Sequence, residues 1–240
     1  MKILVNDGLR FVCDTEAELW RARTLLTKEP GTIKWLNAQL RAGDVFYDIG
    51  ANVGCYTLYA ARLVGETGHV YAFEPHPANA AALIRNIEAN GFSKRVTVIA
   101  APLGSSDGPT WLLIGSMQSG TSGTTTGFGS NGRIIVGLVV IDELIDLCLI
   151  MRPNVVKVDV DGNETSIVIG MAGALLHGNP PRSLQIESEP NARLDIERLM
   201  AVYGYRKVGH HYTKDCQARI DQGFDPARVI ENAMFEKVFA

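Results

Sequence analysis

The sequence predicts an α/β fold, a mostly parallel sheet with helices on both faces, preceded by a small N-terminal element. Three observations carry this expectation. From Asp44 onward, short apolar runs alternate with segments of helical period, the mark of strand–helix–strand units. The first of those strands runs straight into a glycine-bearing turn, Asp48-Ile49-Gly50-Ala51-Asn52-Val53-Gly54. Hydrophobic residues make up 46% of the 240, enough for one substantial core and too many for a disordered chain. The chain divides into residues 1–43, a hairpin with helices, and residues 44–240, the main domain.

In chain order, Ile3-Leu4-Val5 and Leu9-Arg10-Phe11-Val12 flank Asp7-Gly8 and predict a hairpin. Thr15-Glu16-Ala17-Glu18 has the form of a capping box opening a helix to about Thr27. A second helix is expected over 32–41, with Ile33, Leu36 and Leu40 on one face and Gly43 as its stop. Strands are expected at 45–49, 69–73 and 96–101, with helices at 54–63 and 77–90 between them. Pro77 suits a first helical turn, and Ala80, Leu83, Ile84 and Ile87 form one apolar stripe. Residues 115–132 carry almost no periodicity and are rich in Gly, Ser and Thr, so they read as a flexible loop between strand-like segments at 110–114 and 133–140. Beyond it come a short helix at 141–149, a strand at 155–160, one helix at 164–176, a strand at 184–187, a helix at 191–203, and final strands at 205–211 and 233–239.

Composition narrows the function. A net charge of -3 gives no basic stripe of the kind nucleic-acid binding uses, so no nucleic-acid partner is expected. No run reaches the roughly 18 apolar residues of a membrane span, and Met1 to Asp7 lacks a signal peptide's apolar region. A cytoplasmic protein is the expectation. The four cysteines stand far apart with no CxxC pair, which points to reduced, mostly buried thiols rather than zinc. No metal site is assigned. Oligomeric state is not readable.

The chemistry sits in the turn after the first core strand. Gly50 and Gly54 allow a tight bend and close approach of a ligand to the backbone. Asp48 stands at the strand end, where a carboxylate can accept from a charged amino group. Glu74 ends the next strand in Phe73-Glu74-Pro75, the place of an acid that accepts from a ribose diol. A nicotinamide enzyme would favour GxGxxG, and this turn lacks the third glycine. A strand-end acid suits a ligand carrying an amino-acid moiety, which S-adenosylmethionine has and NAD lacks.

The segments VFYDIGANVGCYTLYAA, VYAFEPHPANAAALIRNIEANG, IDELI, VVKVDVDGNE and LQIESEPN, with Glu29-Pro30 ahead of them, resemble the successive motifs of the FkbM methyltransferases over roughly residues 28–203. The resemblance implies a class I methyltransferase (Rossmann-like) fold with a seven-stranded sheet whose last strand pair is partly antiparallel. It implies S-adenosyl-L-methionine as cofactor, S-adenosyl-L-homocysteine as product, and a hydroxyl of a sugar, glycan or secondary metabolite as acceptor. By position, Asp48, Gly50, Ala51, Asn52 and Gly54 would line the methionine end of the donor, with Tyr56 and Thr57 opening the next helix beside it. Glu74 and Pro75 would take the ribose, Ala101 the adenine, and Asp159 the region of the sulfonium. The chain has Asp161 where the family more often has Glu, and Pro102 removes a backbone donor beside the expected adenine contact.

For catalysis, Asp159, Asp161 and Glu187 fall at strand ends and are the candidates to position and deprotonate the acceptor, with Lys157, His210 and His211 behind them. Mg²⁺ held by Asp159 and Asp161 is an alternative. Other readings stay open at this point: small-molecule N-methylation, a nicotinamide-dependent dehydrogenase, or a non-catalytic donor-binding module. Asn179-Pro180-Pro181-Arg182 resembles the NPPY motif of amino-methylating enzymes, but Arg replaces the aromatic residue and the segment lies after the wrong element.

Overall fold

A computed structural model describes residues 1–127 and 133–238. The N-terminal element is a hairpin of β1 (Lys2–Asn6) and β2 (Leu9–Cys13), followed by α1 (Glu16–Arg23) and α2 (Pro30–Gln39). Asp7 and Gly8 both take positive φ, as a two-residue hairpin turn requires. The capping box is present: the Thr15 side chain accepts from the Glu18 backbone, and the Glu18 carboxylate accepts from the Thr15 backbone.

The main domain continues with β3 (Val45–Ile49), α3 (Cys55–Val64), β4 (His69–Phe73), α4 (Pro77–Ala89) and β5 (Val96–Ile99). Then come β6 (Gly108–Ile114), β7 (Thr124–Thr126), β8 (Arg133–Leu138), α5 (Ile141–Asp146), β9 (Val155–Val158), α6 (Glu164–Ile169) and α7 (Ala172–Leu176). The chain closes with β10 (Ser183–Ser188), α8 (Arg193–Val202), β11 (Tyr205–His211), α9 (Lys214–Asp221) and β12 (Glu231–Lys237). Seven strands form the central sheet in the order β11-β12-β10-β9-β3-β4-β5. All neighbours in it are parallel except the two pairs made by β12. The strand order reverses between β3 and β9, and in open sheets of this kind a ligand crevice opens beyond the strand ends at such a point.

Two apolar layers sandwich the sheet. Tyr47, Ile49, Val156, Val158, Leu184 and Ile186 face one core shared with α6, α7 and α8. Phe46, Val70, Ala72 and Val155 face the other, shared with the hairpin, α2, α3 and α4. Every residue of β3 and β9 is buried, as expected for central parallel strands covered on both sides.

Four expectations are corrected. The single helix over 164–176 is two helices. Gly170 lies so close to the Gly104 carbonyl that a methyl group there would overlap it, and Asp142 accepts from Gly173 N at 2.6 Å and Ala174 N at 2.8 Å, capping α7 afresh. The strands flanking the expected loop pair with each other in a separate antiparallel sheet. Of the loop itself, residues 115–127 carry β7 and residues 128–132 lie outside the described residues. Helix α9 was not expected; Thr213 caps it by accepting from Cys216 N. The cysteines are all free, but only Cys13 is buried; Cys55 and Cys216 are half-buried and Cys148 is exposed. Among the described residues no helix is long and apolar enough to cross a membrane.

Asp142→Ala removes the acceptors at the start of α7. We expect a loss of about 1 kcal/mol in urea unfolding, the usual cost of a lost cap, with the m-value unchanged.

Candidate functional site

Central strands normally present apolar side chains to both layers. Here one face does not. Asp48 on β3, Lys157 on β9 and Gln185 on β10 stand side by side in register, and all are essentially buried. They point at the layer of α2 and α3. Lys157 Nζ lies 2.8 Å from Asp159 Oδ2 and 3.7 Å from Asp48 Oδ1, and 5.1 Å from the centre of the Tyr56 ring. Asp48 Oδ2 accepts from Thr57 Oγ1 at 2.6 Å. A lone buried ammonium costs several kcal/mol, so two carboxylates and an aromatic face are what make this position tenable.

One step further along the same face, at the carboxyl edge of the sheet, lie Gly50, Asp159 and Glu187. Gly50 has φ of 83°, and a methyl group on it would overlap the Asp159 carbonyl. The glycine therefore lets the β3 turn press against the end of β9. Gly54 plays a comparable part against Leu83 of α4.

The charges sort themselves by environment. Burial pushes the Lys157 ammonium down, but Asp159, Asp48 and Glu29 outweigh it, so the group is held above its usual range and stays protonated. Burial raises Asp159, yet Lys157 and Lys28 overcome that and bring it down to about 2. Glu187 is pushed up to about 10 by burial first, then by the charges of Asp159 and Glu29. The two carboxyls share a hydrogen bond. Two carboxyls so close do not both ionise readily, so the pair as a whole gives up its last proton only above the ordinary carboxylate range. Burial also raises Asp48, against the pull of Lys157 and Thr57.

Above this edge is a cleft with apolar walls and a few convergent polar groups, the make-up of a small-molecule site. Of the residues singled out from sequence, Gly50, Asn52, Glu74, Pro75, Ala101, Asp159 and Asp161 line it. Asp48 and Thr57 are fully buried beneath it, holding Lys157 rather than facing the cavity. Ala51 and Gly54 are buried in the turn, Tyr56 flanks Lys157, and Glu187 stands behind Asp159. Glu74 is 4% exposed; its oxygens accept from Asn52 N at 2.7 Å and His76 N at 2.8 Å, each keeping a lone pair for the cleft. Burial raises this carboxyl, against those backbone donors. Phe73, Pro102, Leu103 and Ile167 give the cleft its apolar walls.

The roof is the segment 115–127. Asn52 Nδ2 donates to Thr121 O at 2.9 Å, and Gly120 N donates to Asn79 Oδ1 at 2.7 Å. Gly123 N and Thr124 N both donate to Asp161 Oδ2, at 2.7 and 3.0 Å. From α1, Arg21 Nε donates to Gly120 O, and the buried Glu18 accepts from Ser119 Oγ. Asp161, expected at the chemistry, therefore anchors the roof. His210 and His211 point to opposite faces, as adjacent strand residues must: His210 lies 3.9 Å from Glu231, and His211 lies 3.0 Å from Gln185 Oε1. Among the described residues no cluster of three or more metal-ligating side chains is found.

Sequence reasoning missed Glu29 as a site residue. It is fully buried at the start of α2 and contacts Lys28 Nζ at 2.5 Å. Its signal was present: an acid directly before a helix-opening proline. Lys28, which lines the cleft, and Asn79 were also missed.

The profile of the Methyltransferase FkbM domain matches residues 48–207. The chain belongs to the FkbM methyltransferase family. It is 31% identical to the hexuronic acid methyltransferase AglP of Haloferax volcanii over 167 residues, covering 69% of this chain and 65% of that relative, just under two thirds of its length. Among solved structures it resembles a SAM-dependent O-methyltransferase from Thermotoga maritima, with a TM-score of 0.57 at 14% identity over 100% of this chain and 78% of that one. It also resembles an FkbM methyltransferase from Methylobacillus flagellatus, with a TM-score of 0.54 at 16% identity over 94% of this chain and 56% of that one. These likenesses establish the class I methyltransferase fold for this member of the family.

Two outcomes test the electrostatics. Lys157→Met leaves Asp48 and Asp159 buried without their cation, and we expect a loss of about 3–5 kcal/mol in chemical denaturation. The second concerns pH. The folded-state value of Glu187 lies above its ordinary 4.5, so its contribution is full below about pH 4.5 and is lost as pH rises toward about 10. Glu187→Gln should flatten the fall in melting temperature of the wild type between pH 5 and 9; an unchanged slope would contradict the assignment.

Proposed function

We propose that this protein moves a methyl group from S-adenosylmethionine to an oxygen of an acidic sugar, with a ring hydroxyl as acceptor. The observation that carries the reading is the pair of carboxylates across the cleft: Glu74 at the end of β4 and the ionised Asp159 at the end of β9, on either side of the β3 turn. The sugar class follows the name of the Haloferax relative, a hexuronic acid methyltransferase.

The residues present suit the donor. Glu74 retains acceptor capacity for a ribose diol, and its two backbone donors fix its direction. Phe73, Ala101, Leu103 and Ile167 offer a flat apolar slot for an adenine ring. Gly50 and Asn52 remain for the amino-acid end, while Asp159, brought down to about 2, stays ionised beside it at any working pH. When bound, the donor supplies a methyl group on a positively charged sulfur. The protein's share is positioning, charge and exclusion of water. Asp159 accepts a hydrogen bond from the acceptor hydroxyl and fixes its direction. It gains little basicity from its setting, so it receives the proton only as the hydroxyl becomes acidic during transfer. Glu187 keeps Asp159 in place. The 115–127 roof closes the cleft against solvent. The near-balanced charge of the chain supports a sugar over a nucleic acid as partner.

Calorimetry should show S-adenosylhomocysteine binding and no NAD binding, with Glu74→Ala weakening the former at least tenfold. Transfer of a labelled methyl group to glucuronic or galacturonic acid should exceed transfer to neutral hexoses. An alkali-stable ether product agrees with a hydroxyl acceptor, and an alkali-labile ester would overturn that part. Asp159→Asn should lower kcat by about 10²–10⁴ while S-adenosylhomocysteine affinity stays within threefold; equal losses in both would make Asp159 a donor-binding residue only.

A further inference from the structure

A second concavity opens beside the cleft, a groove of about 1300 Å³ between α2, β11 and α9. It exceeds the roughly 300–1,000 Å³ of a typical small-molecule pocket, so its size suits a chain rather than a single small ligand. It lies on the sheet face of the reaction site and runs from His211, near the carboxyl edge, to Ser183 at the other end of β10. Glu187 pairs in register with Asn232, and Asn232 with His211, so a polar row runs from Asp159 to the groove's wall. Asn232 is 1% exposed. Its Oδ1 accepts from Gln185, while its Nδ2 has no partner among the described residues.

The two concavities also share a wall. Thr27, Pro30 and Gly31 line the groove, while Lys28 between them lines the cleft. The Lys28 carbonyl accepts from Lys214 N at 2.8 Å, which ties the start of α9 to that partition.

The lining has a definite chemistry. Lys34 and Lys214 enter no ion pair among the described residues, and two carboxylates offset them: Asp221, accepting from Gln217, and Glu236, accepting from Gln39. A charge-balanced groove gives a polyphosphate backbone nothing to hold. The half-buried Tyr212 and the ring of His211 add aromatic surface beside these amides, ammonium groups and carboxylates. Flat apolar faces interleaved with both donors and acceptors match a sugar ring, which has C–H faces and hydroxyl edges.

We propose that this groove holds the saccharide units next to the one that is methylated, so that the acceptor is an oligosaccharide or glycan chain rather than a free sugar. The proposal rests on the sugar reading of the reaction site. It is tested with the full-length protein, using glucuronic acid and a hyaluronan tetrasaccharide, which alternates glucuronate with a neutral sugar. Binding is followed by calorimetry and methyl transfer by label. The triple variant Lys34→Ala, Tyr212→Ala, Lys214→Ala changes exposed and half-buried groove residues only.

The expected result is at least tenfold tighter binding and lower KM for the tetrasaccharide than for the monosaccharide. In the triple variant that advantage disappears, with monosaccharide kinetics and S-adenosylhomocysteine affinity unchanged. If the monosaccharide is methylated and the tetrasaccharide gains nothing, or its gain survives in the variant, the groove proposal is wrong and the sugar reading stands. If the wild type binds the tetrasaccharide through these residues but methylates neither sugar, the groove is supported and the reaction reading fails. Neither binding nor transfer overturns both.

Discussion

A single buried ammonium organises the site. Lys157 occupies a central position of a central strand, where an aliphatic residue would ordinarily sit, and it is 1% exposed. Everything near it can be read as compensation. Asp48 supplies one counter-charge and is itself held by Thr57. Asp159 supplies the nearer one and is thereby kept ionised at the cleft. Tyr56 turns its ring toward the cation. The network is costly in an apolar interior, and what it secures is a carboxylate of fixed charge and direction at the sheet edge.

That arrangement also explains the unequal pair at Asp159 and Glu187. Two neighbouring carboxyls cannot both ionise cheaply at short range. The lysine decides which one does. Lys157 lies against Asp159, whereas at Glu187 its pull is outweighed by burial and by the negative charge beside it. The chemistry facing the cleft is set from beneath, by a residue that does not itself line the cavity.

Much of this was legible in the sequence. Strands β3, β4 and β11 fall on their expected residues because runs of β-forming residues bounded by Gly, Pro or polar turns are local signals. The turn after β3 and the acid ending β4 were equally plain, and both line the cleft. What escaped depends on distant partners. The break at Gly170 arises from a backbone contact with Gly104 and a cap from Asp142, and helical periodicity carries neither. Asp48 sits where a ligand-facing acid was expected, but its side chain turns inward because β9 brings Lys157 alongside. Asp161 was read as chemistry and is engaged with the roof, through donors nearly forty residues earlier in the chain.

The capping box of α1 has a use beyond ending a helix. Thr15 Oγ1 donates to Ser119 O at 2.9 Å and Glu18 accepts from Ser119 Oγ, so the same two residues that begin the helix also grip the cover of the cleft about a hundred positions away. Hairpin, first helix and cover are therefore mechanically coupled: a change that displaces Ser119 also removes partners from the start of α1. The matched family domain, which begins at Asp48, takes in the cover and leaves out the helix that grips it.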